Sequence, residues 1–481
     1  MSQHNVLIIM SDEHTRSVLG AYGNTQVHTP ALDKLANAGQ RFTNAYTPSP
    51  ICIPARASFA TGTQVFEHRC WSSTQSYYGQ HESWMHRLRA RGSEVVSIGK
   101  LHYRSSNDDL GFTRQLLPMY LPNQGRGWPQ GLQRKPMADF PEAAELAAGI
   151  GPGETSYTQY DRDITAASVQ WLRQRQAAAT DTPWVLFVSF ICPHYPLSAP
   201  QEFYELYQGV DLPAPYDAVR GQQLKHPVID AMRKFWNYDD YFNPDDRVEG
   251  LRNYYALCSF LDDNIGQVLK ALGKGGAREN TQVIYTSDHG DLIGNHGIWG
   301  KCYMYEDSVG IPMTLTGPDI EPGVNTTPVS LTDLASTIEY IVTGQARDAQ
   351  YPWQGRTLHR LIKKPDPDRP VLSEYHDGGS PTGSFMLRQG RWKYIYFAED
   401  NPDLLFDMEN DPEELNNLVA EPDYESIRNE MLASLRAILD PEQANRNAFS
   451  DQAQLVEQLG GIETIRQMAS FNHTPVEQVA S

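Results

Sequence analysis

The stretch Asn5–His14, NVLIIMSDEH, carries an apolar run from Val6 to Met10 and then breaks into Ser11, Asp12, Glu13 and His14. An unbroken apolar run of this length, rich in Ile and Val, suits a parallel strand buried on both faces. The same grammar returns three times. Ser93–Tyr103, SEVVSIGKLHY, runs into Lys100 and His102. Pro183–Pro196, PWVLFVSFICPHYP, runs into His194, and Thr281–Asp291, TQVIYTSDHGD, runs into Asp288 and His289. Helical patterns lie between them, as in Thr29–Gly39, TPALDKLANAG, and the long apolar repeat Val248–Leu272. Strands alternating with helices predict an α/β sheet with right-handed crossovers. Ligands of such sheets sit beyond the carboxyl ends of the strands, so the four polar clusters are expected to meet at one edge. A lone Asp after a strand is usually a turn or cap residue, and a lone His a satisfied hydrogen-bonding group. Four coincidences on separate strands point instead to a site. His14, His28 and His68 are read as structural.

A second stretch, Ser49–Gly62, SPICIPARASFATG, belongs at the same edge. Pro54 fits a first helical turn, and Gly62 stops the short helix that follows. Cys52 then stands at the positive helix end with Arg56 one turn along. That setting is expected to lower the thiol pKa and to gather an anion.

Bulk composition narrows the partners. Lys and Arg number 40 against 59 Asp and Glu, a net charge of −19 over 481 residues, which argues against a nucleic-acid partner. An anion site in this chain has to be a local positive pocket inside an acidic shell. The five cysteines are widely spaced and form neither a CxxC pair nor a disulfide framework. The start reads as no signal peptide and no segment approaches a membrane span, so a cytoplasmic protein without a membrane partner is expected.

Cys52–Gly62, CIPARASFATG, resembles the signature of the formylglycine-dependent sulfatase family of the alkaline phosphatase superfamily. In that family Cys-x-Pro-x-Arg directs oxidation of the cysteine to formylglycine. Gly99–Tyr103, GKLHY, resembles the family's Gly-Lys-x-His element, and Cys192–Pro196, CPHYP, its Pro-His-x-Pro element. Thr286–Lys301, TSDHGDLIGNHGIWGK, resembles the metal and lysine element. Arg391–Phe397, RWKYIYF, and Leu404–Pro422, LLFDMENDPEELNNLVAEP, resemble its C-terminal part. The resemblance covers residues 5–440. It implies the alkaline-phosphatase-like α/β fold: a mixed sheet flanked by helices, with a smaller C-terminal α+β domain carrying an antiparallel sheet. Residues 1–370 are then the catalytic domain and 371–440 the antiparallel subdomain. Residues 441–481 are an arm whose Leu455, Ile462 and Met468 are expected to dock on a neighbouring subunit of a homo-oligomer. Leu110–Asp161 and Tyr195–Val248 read as insertions of the kind that form lids.

The resemblance also implies the chemistry. A formylglycine derived from Cys52 by a formylglycine-generating enzyme hydrates to a geminal diol. One of its oxygens attacks the sulfur of a sulfate ester and expels the alcohol; when a base takes the proton of the other, the carbon–oxygen bond to the bound sulfate breaks, which releases sulfate and regenerates the aldehyde. Asp12, Asp288, His289 and residue 52 are implied as ligands of one divalent metal. Oxygen donors suit Ca2+, Mg2+ or Mn2+, and the imidazole favours Mn2+ over Mg2+. Arg56 is expected to hold the diol, Lys100 and Lys301 the transferring oxygens, His102 to act as the base and His194 as the acid at the leaving oxygen. Two departures from the common pattern stand out. Asp12-Glu13 replaces Asp-Asp, which leaves Glu13 as a ligand, an orienting group or neither. Asp288-His289 replaces Asp-Asn, as in the choline-sulfatase-like and phosphonate-monoester-hydrolase-like branches. A phosphonate monoester hydrolase or phosphodiesterase with the same apparatus is therefore the alternative function. Ser72, Ser73 or Gln75 is a candidate polar contact. Trp71, Tyr77, Tyr78, Tyr103, Trp299 and Tyr303 are candidate walls for the leaving group.

Overall fold

Strand β1 (Asn5–Asp12) lies between β6 (Trp184–Pro193) and β7 (Thr281–Ser287), parallel to both. The computed structural model describes residues 3–137, 140, 143–177, 182–216, 224–273, 276–345, 355–470 and 473–476. Parts of both insertions and the last residues of the arm lie outside the described residues. The eight-stranded sheet runs β5-β4-β6-β1-β7-β8-β2-β9, with β2 (Gly39–Phe42), β4 (Glu94–Lys100), β5 (Arg114–Met119), β8 (Met313–Thr316) and β9 (Gly323–Asn325) completing it. β8 pairs antiparallel with both neighbours, so the sheet is mixed. Every residue of β1, β6 and β7 is buried, which is why their apolar runs do not alternate with polar residues.

Successive side chains still point to opposite faces. Leu7 and Ile9 pack under α4 (Ser156–Ala177) and α5 (Pro244–Leu272), with Ile164, Leu172, Leu257 and Leu261. Val6, Ile8 and Met10 pack on the other face with Phe59 of α2 (Cys52–Thr61) and Leu334 and Ile338 of α6 (Thr332–Thr343). The shorter α1 (Pro30–Asn37) and α3 (Trp84–Ala90) fill the flanks. α5 starts at an Asn243 cap that accepts from the N–H groups of Asp245 and Asp246, with Pro244 in its first turn. α2 ends at Gly62, whose φ of 74° closes the last turn onto Ser58.

Asp161 of α4 reaches the end of β6, where its carboxylate accepts from the N–H of Ile191 and of Cys192, both at 2.9 Å. The short strands β3 (Ala45–Tyr46) and β10 (Val329–Ser330) pair with each other, and an antiparallel sheet is formed by β11 (Val371–Tyr375), β12 (Ser384–Gln389), β13 (Trp392–Phe397) and β14 (Leu404–Asp407). One of its faces packs on Met431 and Leu435 of α7 (Glu425–Ile438). The other face gives Met386, Ile395 and Phe406 to a core shared with Tyr46, Ile51 and Leu292, bracing the segments that carry Cys52 and Lys301. Beyond it, α8 (Pro441–Gln458) and α9 (Ile462–Arg466) lie on their own chain. Asp451 accepts from the Trp71 indole at 2.8 Å, and Ile465 is fully buried. Leu455, Ile462 and Met468 remain half-buried.

Candidate active site

The carboxyl ends of β1, β4, β6 and β7 deliver Asp12, Lys100, His194 and Asp288 to one edge of the sheet, and α2 presents Cys52 at its N-terminus. Arg56, one turn along α2, is buried and fully used. Its Nε donates to Asp288 Oδ2 at 2.8 Å and one Nη to Asp12 Oδ2 at 3.0 Å. The other Nη donates to the Lys100 carbonyl and to Ser189 Oγ, both at 2.9 Å. Lys100 Nζ lies 2.6 Å from the same Asp12 Oδ2. Burial alone would raise the Asp12 pKa, but Lys100, Arg56 and Lys301 hold it well below the usual carboxylate range.

With the Oδ2 atoms of Asp12 and Asp288 anchored in this way, the Oδ1 atoms turn toward His289 Nε2, at 3.9 and 3.7 Å. Cys52 Sγ is 3.1 Å from His289 Nε2 and 3.6 Å from Asp12 Oδ1. One donor atom from each of Asp12, Cys52, Asp288 and His289 lies within 4.8 Å of all the others, and all four residues are buried. His289 Nδ1 bonds the Gly290 carbonyl at 3.0 Å, which leaves Nε2 as the ligating nitrogen. Two carboxylates, an imidazole and the atom at position 52 thus fit a single divalent cation. Glu13 stands outside this set. Its Oε2 accepts from Lys301 Nζ at 3.0 Å and lies 3.4 Å from His194 Nε2. Burial, with Asp291 adding to it against Lys301, pushes the Glu13 pKa well above the usual range.

The expected low-pKa thiol is corrected. Burial first, then Asp12, pushes Cys52 up to about 11, so the side chain is a neutral thiol at pH 7. The guanidinium that was to lower it spends its charge on the two aspartates. Lys301 Nζ sits 3.5 Å from Cys52 Sγ and 2.7 Å from His194 Nε2. His194 Nδ1 donates to its neighbour's carbonyl, that of Tyr195, at 2.7 Å, so Nε2 presents its lone pair to the Lys301 ammonium. Burial would lower the Lys301 pKa, but Cys52 and Glu13 raise it, while burial and then Lys301 keep His194 neutral. The proton of this pair therefore rests on Lys301. His102 is also held neutral, by burial and then by Lys100 and Arg56. Both of its buried ring nitrogens lack a hydrogen-bond partner among the described residues.

Cys52, His102, His194 and Lys301 open into a cavity of about 110 Å³. Its aromatic walls come from the two insertions, Trp128 and Phe140 from the first and Trp236 and Tyr238 from the second. Phe140 and Trp236 meet edge-to-face at 4.8 Å. None of the six aromatic residues expected here lines the cavity. Trp71 packs on His376, Tyr77 on Tyr103 and Trp299 on Phe242, Tyr303 is buried elsewhere, and Tyr78 lies exposed under Arg104. Ser73 does line it, with its N–H and hydroxyl bonded to Asp377. His14 and His68 serve the structure as expected, bonding Tyr285 and Ser58, and His28 is exposed. A larger hollow of about 880 Å³ lies among Arg16, Glu306 and Asp307, but it contains none of the clustered residues and its carboxylates are already paired. The residues that the sequence did not reveal are Ser189, Tyr195, Trp128, Trp236, Tyr157 and His473. Of these only Ser189 lies inside an apolar strand run, where a polar residue is itself a signal.

Comparison with known proteins agrees with this geometry. Residues 4–340 match the family model described as Sulfatase, and 294–440 match that described as N-sulphoglucosamine sulphohydrolase, C-terminal. The choline-sulfatase of Rhizobium meliloti (strain 1021) is 31% identical over 427 residues, covering 87% of this chain and 83% of its own. The arylsulfatase K of Danio rerio is 30% identical over 468 residues, covering 91% and 84%. The solved phosphonate monoester hydrolase of Agrobacterium radiobacter superposes with a TM-score of 0.69 at 24% identity, covering 90% of this chain and 96% of that one, and so shares the fold.

Proposed function

Because the chain belongs to the sulfatase family, we propose that it hydrolyses sulfate esters with a formylglycine made from Cys52. The observation that carries this reading is the placement of Cys52 Sγ, 3.1 Å from His289 and 3.5 Å from Lys301, inside the four-donor set with Asp12 and Asp288. A divalent ion held by these residues would supply Lewis-acid polarisation, and a formylglycine at position 52 a hydrated aldehyde with two hydroxyls.

The chain's own residues do the rest. Arg56 fixes both aspartates by their Oδ2 atoms. Lys100 and Lys301 bring positive charge to the oxygens of the ester. His102, neutral and with both ring nitrogens unpartnered among the described residues, is the base that takes a proton from residue 52. Lys301 and His194 hold a proton between them for the departing alcohol oxygen. Ca2+ and Mn2+ are the metals this donor set favours. The five cysteines are unpaired, in keeping with a reducing compartment, and we place the enzyme in the cytoplasm. The arm lies on its own chain here, and assembly into a homo-oligomer is kept as part of the proposal.

The test is a side-by-side rate comparison on an aryl sulfate, a phosphonate monoester and a phosphodiester of one phenol. The protein is co-expressed with a formylglycine-generating enzyme, and the aldehyde at position 52 is confirmed by peptide mass. The highest kcat/KM is expected on the sulfate. A higher value on the phosphonate would turn the assignment to phosphonate monoester hydrolysis, and full activity in homogeneous unoxidised protein would remove formylglycine from it.

A further inference from the structure

Part of the cavity wall comes from the far end of the chain. His473 and Thr474 line the same cavity as Cys52, His102, His194 and Lys301. Side chains of the first insertion and of α4 hold this segment in place. Asn123 Nδ2 donates to the Ala469 carbonyl at 2.9 Å, the Trp128 indole to Ser470 Oγ at 3.2 Å, and the Tyr157 hydroxyl to the Thr474 carbonyl at 2.8 Å. The Tyr157 ring stands edge-on to His194 at 5.9 Å and to His473 at 5.1 Å. One tyrosine of α4 therefore ties the position of His473 to that of the group at the leaving oxygen.

The space is small and mostly apolar, with Ser73, His102, His194, Lys301, His473 and Thr474 as its polar lining. About 110 Å³ lies below the ~300 Å³ at which ligand sites usually begin. Among the described residues no Asp, Glu or Arg lines it, and the one Lys that does, Lys301, belongs to the reacting cluster. Such a space suits a short group whose body is apolar.

We propose that His473, held by Tyr157, is a specificity-determining residue that walls the leaving-group end of the cavity and limits the enzyme to esters of compact apolar alcohols and phenols. The proposal rests on the sulfate-ester reading, and its test is built to separate the two. The probes are 4-methylphenyl and 4-pentylphenyl sulfate, whose phenols match in acidity and differ in length. The wild type is expected to favour the methyl ester in kcat/KM by about tenfold or more, the size of discrimination a hydrophobic pocket achieves over a few methylenes. His473→Ala should raise the pentyl-to-methyl ratio about tenfold with Tm unchanged, and Tyr157→Phe should move it the same way. A rise below threefold in His473→Ala overturns the proposal. The same pair made as phenylphosphonate monoesters separates the two ideas. Turnover of the phosphonates alone refutes the sulfate reading, while their length ratio still decides the role of His473. Calorimetric Kd values for the sulfate pair on Cys52→Ala protein, with and without His473→Ala, give the ratio independently of any turnover.

Discussion

Every nitrogen of the Arg56 guanidinium donates inside the protein, to Asp12, Asp288, Lys100 and Ser189. A lysine keeps the charge but not the planar fork, so it can anchor one aspartate and not both. Arg56→Lys should free an Oδ2 to turn inward and spoil the four-donor set. A loss of about 10–100-fold in metal affinity is expected, the usual cost of removing a partner that orients ligands, read by metal titration alongside kcat/KM. The pair of Lys301 and His194 gives a different signature. A good leaving group needs little protonation, so removing the proton donor should hurt poor leaving groups most. Lys301→Ala and His194→Ala are each expected to steepen the dependence of rate on leaving-group pKa, by about 10²–10⁴-fold at the poorest leaving group. Equal loss on every ester would reduce His194 to a binding group. At this scale the sequence was legible where strands end. Asp12, Lys100, His194 and Asp288 follow buried apolar runs, and that pattern alone brings them together. The environment of each group was not legible. A helix start and an arginine four residues on promised an acidic thiol at Cys52, but the arginine's partners lie about 40 and 230 residues away along the chain.

Among the elements, β6 and α4 depend on each other through Asp161. Burial pushes this carboxyl up to about 7 in spite of the two N–H groups it accepts from. A raised pKa means that the folded state holds a proton that the unfolded state gives up near pH 4. The stabilisation is therefore full below about pH 4 and is lost as pH rises toward 7. Asp161→Asn has no such titration, and its amide faces one N–H without an acceptor. It should cost about 1–3 kcal/mol in urea melts, with the deficit larger at pH 5 than at pH 8. A deficit that grows with pH would reverse this assignment. The insertions show where element-level reading stops. Their aperiodic, aromatic-rich sequences marked them as loops near the site. Which of their rings face the cavity is set by packing between two segments roughly a hundred residues apart. The residues chosen from sequence, such as Trp71 and Trp299, are near the motifs along the chain, but their rings pack on His376 and Phe242 and do not line the cavity.

Over the whole molecule, the charge of −19 surrounds a site in which Lys100 lies 2.6 Å from Asp12 and Lys301 3.0 Å from Glu13. Beyond the first contacts, an incoming sulfate ester meets a net negative field. Salt with a Debye length of ~8 Å at 0.15 M screens that field and leaves the buried contacts intact. KM is therefore expected to fall, with kcat unchanged, as ionic strength rises from about 0.01 to 0.15 M. A KM that climbs with salt would mean that the local lysines dominate the approach. The mixed sheet and the antiparallel C-terminal sheet were both foreseen, because the family motifs extend that far. The wall formed by His473 was not, since the last forty residues match no motif and their placement follows from packing alone.

All ten residues of α2 are buried, and Cys52 keeps only 5% of its surface exposed. The strands beside it close late, since β1 needs β6 and β7, and β7 ends at Ser287. An enzyme that had to bind the segment around Cys52 as an extended chain would find it, in the finished fold, wound into a buried helix. The proposed modification therefore has a window in time. It opens when the signature leaves the ribosome and shuts when residues 281–287 arrive to complete the sheet. Slow translation between those points would raise the share of active molecules, and rapid overexpression would fill the cell with well-folded protein that can never be activated.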